Sequence, residues 1–205
     1  MGYISADVFR RLYLLCLVAA FENGVYGALR LQKVAYVVER ETARKPFQFK
    51  HAPYGQYSED LEDIKEQLIS MGYISAIPLS APGKGNRYVL TEKAMKDRLN
   101  ALLESLDPEL KNRMLQVVRE IGYFEEKELR HYAYTFEEFI NSDMNDILIK
   151  SNVPDMLRAE GLSQDDCEEL ELALNPNFVS AMSKIVQGLE ESNIDWDKVK
   201  KVVPR

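Results

Sequence analysis

Cysteine and histidine are scarce in this 205-residue chain, with two of each, and there is a single tryptophan. Cys16 and Cys167 lie far apart, so they supply neither a disulfide framework nor a close-spaced pair of metal ligands, and both are expected to be free thiols in a reducing compartment. His51 and His131 each lack a neighbouring cysteine, and His131, in Glu128-Leu129-Arg130-His131-Tyr132, reads as a helix-surface residue. The chain has no HExxH, GxSxG, P-loop or GxGxxG pattern, and the spacing of its many carboxylates points to no acid/base pair. A binding protein without cofactor or metal is expected rather than an enzyme. Long apolar runs are missing too. Leu12 to Phe21 follows Arg10 and Arg11 and has the length of a signal-peptide core, but Asp7 lies upstream, no A-x-A site follows, and ten residues are too few to cross a bilayer. The run is read as a buried first helix of a cytoplasmic protein.

What is present suffices for a sizeable core: 46% of residues are hydrophobic and 29% charged. The net charge of -7 is unevenly spread. Residues 1–104 carry 14 Lys+Arg against 12 Asp+Glu, whereas residues 105–205 carry 12 against 21. Such a split can mark halves with different partners.

Periodicity divides the chain into elements. A first helix over about Ala6 to Phe21 is apolar almost all round, and Leu31, Val34, Ala35 and Val38 mark an amphipathic second helix from about Ala28 to Arg40. Phe47 and Phe49 alternate with polar residues in a short extended piece that turns at Pro53-Tyr54-Gly55. Ser58 suits an N-cap for a third helix that ends before Gly72. Tyr73 to Ile77 and Arg87 to Leu90 form a β-hairpin around a turn-rich connection, and Thr91 is expected to cap a helix running to about Ser105. After Asp107-Pro108 the pattern predicts helices over 109–121, 125–134, 136–149, 165–174 and 176–192, with a last turn or two from Asp195. Residues 150–164, with Pro154 and Gly161, make the best internal boundary. The fold class is thus mainly α with a small β-hairpin: a winged-helix-like domain (1–105), a helical extension packing on it (106–150), and an acidic helical segment (151–205). The first helix can be covered by residues 108–149 or by a second copy in a homodimer.

Three stretches carry a family resemblance. Leu29-Arg30-Leu31-Gln32-Lys33-Val34-Ala35-Tyr36, Pro53-Tyr54-Gly55-Gln56-Tyr57-Ser58 and Leu68-Ile69-Ser70-Met71-Gly72-Tyr73-Ile74 resemble the Panacea-type domain of bacterial and phage proteins, a family that includes SocA-like antitoxins. The family pattern is an LQK-x-x-Y helix, a PYGPYS-like loop and a leucine-containing helix before a hydrophobic strand; here Gln56 replaces the second proline. The resemblance covers about the first half of the chain and implies a binding role, often that of an antitoxin encoded beside its toxin.

The remaining candidates follow from charge and aromaticity. The third helix carries Glu59, Asp60, Glu62, Asp63 and Glu66 against Lys65 alone, which opposes insertion into a DNA groove. Lys84, Arg87, Lys93 and Lys96, with Arg98, form the one local basic cluster and are the phosphate-binding candidates of the alternative reading, a DNA-binding regulator. For the leading reading, sequestration of a toxin partner, the candidates are Tyr54, Gln56 and Tyr57 in the turn and Ile194 and Trp196 near the C-terminus. Tyr36, Phe47 and Phe49 are expected to pack inward. Residues 141–197 contain 3 Lys+Arg and 13 Asp+Glu, an acidic surface suited to covering a basic nucleic-acid-binding toxin.

Overall fold

A helix built from ten consecutive apolar residues has no side to turn to water, so the rest of the chain must wrap it. The computed structural model describes residues 2–80, 85–94, 96–159 and 161–191, without the side chains of 96, 97 and 188–191. The chain opens with strand β1 (Gly2–Ser5) and the apolar helix α1 (Ala6–Ala20). Ser5 caps α1, its Oγ accepting from the Val8 N–H at 3.3 Å. Next come β2 (Val25–Tyr26), α2 (Ala28–Glu41), the hairpin β3 (Phe49–Ala52) and β4 (Gly55–Tyr57), and α3 (Glu59–Ser70). Ser58 caps α3 as expected, accepting from the Leu61 N–H, and Gly72 follows the helix at φ +75°. Strands β5 (Ile74–Pro78) and β6 (Asn86–Leu90) form the second hairpin. Helices α4 (Lys96–Leu106), α5 (Pro108–Ile121) and α6 (Glu126–Tyr134) and the single turn α7 (Glu137–Ile140) lead to β7 (Ile147–Ile149), β8 (Met156–Ala159), α8 (Gln164–Ala173) and α9 (Pro176–Glu191). The molecule is mainly α, with small antiparallel sheets.

Twelve of the fifteen residues of α1 are buried, and α3, α4 and α5 pack around it. Among the twelve is Arg11, whose Nε and a terminal nitrogen both donate to Gln67 Oε1 on α3, at 3.1 and 2.7 Å. Phe47 and Phe49 are fully buried too: the Phe47 ring meets Tyr13 edge-on at 5.6 Å, and Phe49 meets Tyr36 at 5.5 Å. The sheet beside α1 has the order β2-β6-β5, so the short β2 extends the expected hairpin to three strands.

Three expectations are corrected. The predicted helix over 136–149 is one turn followed by a strand. Asn141-Ser142-Asp143 stops the helix, the Asp146 carboxylate accepts from the Asp143 N–H, Asn145 sits at φ +73°, and Ile147–Ile149 pairs with β3. Its apolar residues have helical spacing, but the turn formers and the open edge of β3 decide otherwise. Thr91 does not cap a helix: its hydroxyl donates to the Gly72 carbonyl at 2.7 Å, a 3-10 turn (Glu92–Ala94) follows, and α4 starts only at Lys96. Within 150–164, Met156–Ala159 forms a strand paired with β1, residue for residue from Gly2 opposite Ala159 to Ser5 opposite Met156. One hydrophobic cluster runs from Ile4 to Leu174.

Replacing Leu15, which is fully buried, with Ala should cost about 2–5 kcal/mol in urea unfolding, whereas Leu172→Ala, at a half-exposed position, should change stability by under about 0.5 kcal/mol. Equal effects would contradict a central α1.

Candidate functional site

Residues 29–36 and 53–58, two of the three stretches quoted from the sequence, meet in space around one buried lysine. Along α2 every residue from Leu31 to Glu39 is buried, because the β3–β4 hairpin, α5 and α6 close over faces that would otherwise meet solvent. Gln32 turns to the start of α3: its amide nitrogen donates to Ser58 O at 3.0 Å while its Oε1 accepts from the Ser58 N–H at 2.9 Å. Lys33 turns to the hairpin. Its Nζ donates to Tyr54 O at 2.9 Å, Gln56 O at 3.1 Å and Gln56 Oε1 at 2.9 Å, and lies 5.4 Å from the centre of the Tyr134 ring. Tyr36 completes the motif by donating to Glu138 at 2.8 Å, beside the Arg40–Glu138 ion pair. Burial works against the Glu138 charge, yet its hydrogen bonds to the backbone, Arg40 and Tyr36 hold its carboxyl below the usual range. Gln32 and Lys33 of α2 thus latch the hairpin and α3 together.

Gly55 is required twice over. Its φ of +93° is one that side-chain-bearing residues rarely adopt, and a Cβ there would run into Lys33 Nζ and the Tyr134 ring. Gln56 is buried, contrary to its expected role as a partner contact. Its side chain accepts from Lys33 and donates to the Ala133 carbonyl, so its work is internal. Tyr54, by contrast, is 73% exposed and Tyr57 36% exposed, at the rim of a cavity of about 550 Å³ whose floor includes Lys33. Leu29 and Pro53 wall this cavity, and Glu62, Glu126 and Arg130 edge it. Burial, with the nearby Arg130 guanidinium adding to it, pulls the Lys33 ammonium down to about 7.

The basic candidates of the second hairpin are otherwise engaged. Lys93 donates to the Met71 carbonyl at 2.9 Å and lies over the Tyr73 ring, Arg87 packs on Tyr26, and Arg98 pairs with Glu169. Lys84 lies outside the described residues, as does the side chain of Lys96. On α3, Lys65 is buried and paired with Glu62 and Glu66, so the exposed charges of that helix are acidic. Ile194 and Trp196 lie outside the described residues. Just before them is a feature that residue-by-residue reading passed over: Phe178, Met182, Ile185 and Val186 stand 40–54% exposed along one side of α9. Their spacing, continued in sequence by Leu189, was open to view. The Lys33 floor had no comparable signal, because the cover over Lys33 comes from residues 52–57 and 130–134.

Among the described residues no group of His, Cys, Asp and Glu is placed to hold a metal ion, and no helix is long and apolar enough to cross a membrane. Comparison with protein-family models, with curated proteins and with solved structures finds no match.

Two substitutions test the latch. Gly55→Ala should destabilise the fold by more than about 2 kcal/mol, since the backbone strain and the collision with Lys33 add; a loss below about 0.5 kcal/mol, the size of an ordinary surface change, would refute the tight approach. For Lys33, the folded value near 7 lies below the unfolded value of about 10.4. Between these limits the unfolded chain holds the extra proton, so stability should climb as pH rises from about 7 to 10. Urea unfolding at several pH values should show that climb reduced in Lys33→Met; parallel pH profiles would contradict it.

Proposed function

We propose that this chain is a non-catalytic, cytoplasmic binding protein of antitoxin type, in which a winged-helix-like first half of Panacea character serves as scaffold and the C-terminal helices engage a protein partner. The observation that carries this reading is the apolar side of α9. Four large hydrophobic side chains on one helix face remain open to water, more than isolated surface exposure accounts for, and their spacing is that of a helix laid into a groove. Next to them α8 presents Asp165, Asp166, Glu168 and Glu169, all exposed. The partner that fits has an apolar groove bordered by basic residues, as a nucleic-acid-binding toxin would. The exposed Tyr54 and Tyr57 offer a second, smaller contact.

A DNA-binding reading finds less support. Phosphate contacts need free cations, and the described cations near the hairpin are spent on Met71, Tyr26 and Glu169, while the exposed charges of α3 are negative.

The test is co-expression with the product of a neighbouring gene. The wild-type chain should neutralise its toxicity and co-purify with it. The double variant Phe178→Asp/Ile185→Asp should lose both properties while its unfolding free energy stays within about 0.5 kcal/mol of wild type, because both positions are exposed. Undiminished co-purification of the variant, or a neighbour that is harmless alone, would overturn the reading.

A further inference from the structure

The Lys33 cavity poses a question that partner binding through α9 does not answer. A buried cation is normally balanced by a nearby carboxylate, since an uncompensated charge in a low-dielectric interior is costly. Lys33 is 1% exposed and has no such balance: its three hydrogen-bond acceptors are neutral oxygens, and the charged group that acts on it is a second cation, Arg130. The acidic residues at the rim are already engaged, Glu126 with Arg130 and Glu62 with Lys65. Arg130, though paired with Glu126, keeps its side chain 39% exposed where it borders the cavity. Gly27 starts α2 with no side-chain cap, and the first residues of that helix, Ala28 and Leu29, line the same cavity, so the positive end of the helix dipole points the same way. Lys33 and the start of α2 thus face the cavity without a paired carboxylate.

The walls restrict what may carry that charge. Leu29, Pro53 and the rings of Tyr54 and Tyr57 offer an apolar enclosure, and about 550 Å³ is within the usual size of small-molecule sites, roughly 300–1,000 Å³. A strongly hydrated polyanion would lose its water against these walls without recompense. We infer that this cavity is a binding site for a small organic monoanion with an apolar or aromatic body, its charged group set against the exposed part of the Arg130 guanidinium beside Lys33 and its body enclosed between Leu29 and the two tyrosines. Its lining comes from α2, the β3–β4 turn, α3 and α6 rather than from α9, so it is independent of the α9 reading. A ligand there touches the Tyr54 to Tyr57 turn directly, so occupancy also sets which tyrosine faces a partner meets.

Two dyes of one shape and different charge provide the probe: 1-anilinonaphthalene-8-sulfonate and its uncharged analogue N-phenyl-1-naphthylamine. The full chain carrying Phe178→Asp/Ile185→Asp is used, which breaks up the apolar side of α9 as a competing dye site. The sulfonate should bind saturably at one site, at least about tenfold more tightly than the neutral dye, a difference of about 1.4 kcal/mol. Octanoate should displace it and octanol should not. Arg130→Gln should lower sulfonate affinity about tenfold and leave the neutral dye unaffected, and Lys33→Met, where it folds, should act in the same direction. Leu29→Trp, which fills the cavity from its wall without altering charge, should abolish both. Equal affinities for the two dyes, sulfonate binding indifferent to Arg130→Gln and Leu29→Trp, or no saturable binding would each overturn the inference. None of these results bears on co-purification through α9, so the two proposals fail separately.

Discussion

The burial of α1 is the constraint around which everything else is arranged. Leu12, Leu14, Leu15 and Leu17 are all fully buried, and consecutive and alternate positions on a helix point in different directions, so cover is needed on every side. At about 1.5–3 kcal/mol for each large side chain removed from water, no single neighbouring element can provide it. The chain answers with α3 from the first half, α4 and α5 from the middle, and a return of β8 and α8 to β1 at the very start of the chain. The first helix and the acidic C-terminal region therefore share one core.

Around that apolar centre the structure uses buried polar groups sparingly, each to fix a particular geometry. Arg11 ties α1 to α3 through Gln67, Gln32 holds the backbone of Ser58 where α3 begins, and Lys33 gathers two carbonyls and an amide oxygen at the hairpin turn. Buried groups of this kind are costly unless satisfied, and once satisfied they specify one arrangement against near neighbours. Gln56 fits this scheme, holding the hairpin turn by hydrogen bonds to Lys33 and Ala133.

Charge and apolar surface are distributed by region. Among the described residues around the second hairpin, the cations are engaged with a helix end, a ring and a carboxylate. The C-terminal helices leave carboxylates and large hydrophobic side chains facing water side by side. A surface that is apolar in its centre and charged at its margin has the anatomy of a protein interface.

Much of the fold was legible because the signals were local. The Ser58 cap, the Gly72 stop, the Asp107-Pro108 restart and the apolar periodicity of α1 and α2 depend on residues a few positions apart, and the structure has them where the spacing puts them. The inward packing of Tyr36, Phe47 and Phe49 was open to the same reasoning. Elements whose identity depends on a distant partner were not. Ile147–Ile149 is a strand because the edge of β3 lies beside it, and Met156–Ala159 is a strand because Gly2–Ser5 is, at the other end of the chain. The site divides in the same way. That Tyr54 and Tyr57 stand on an exposed turn could be read from Pro53 and Gly55, but that Lys33 lies beneath them without a counter-charge could not. Sequence alone determined most of the helices and where they stop, through propensity, caps and period. Tertiary structure alone decided which charges are balanced, because the balance depends on what lies within a few ångströms in space rather than a few residues along the chain.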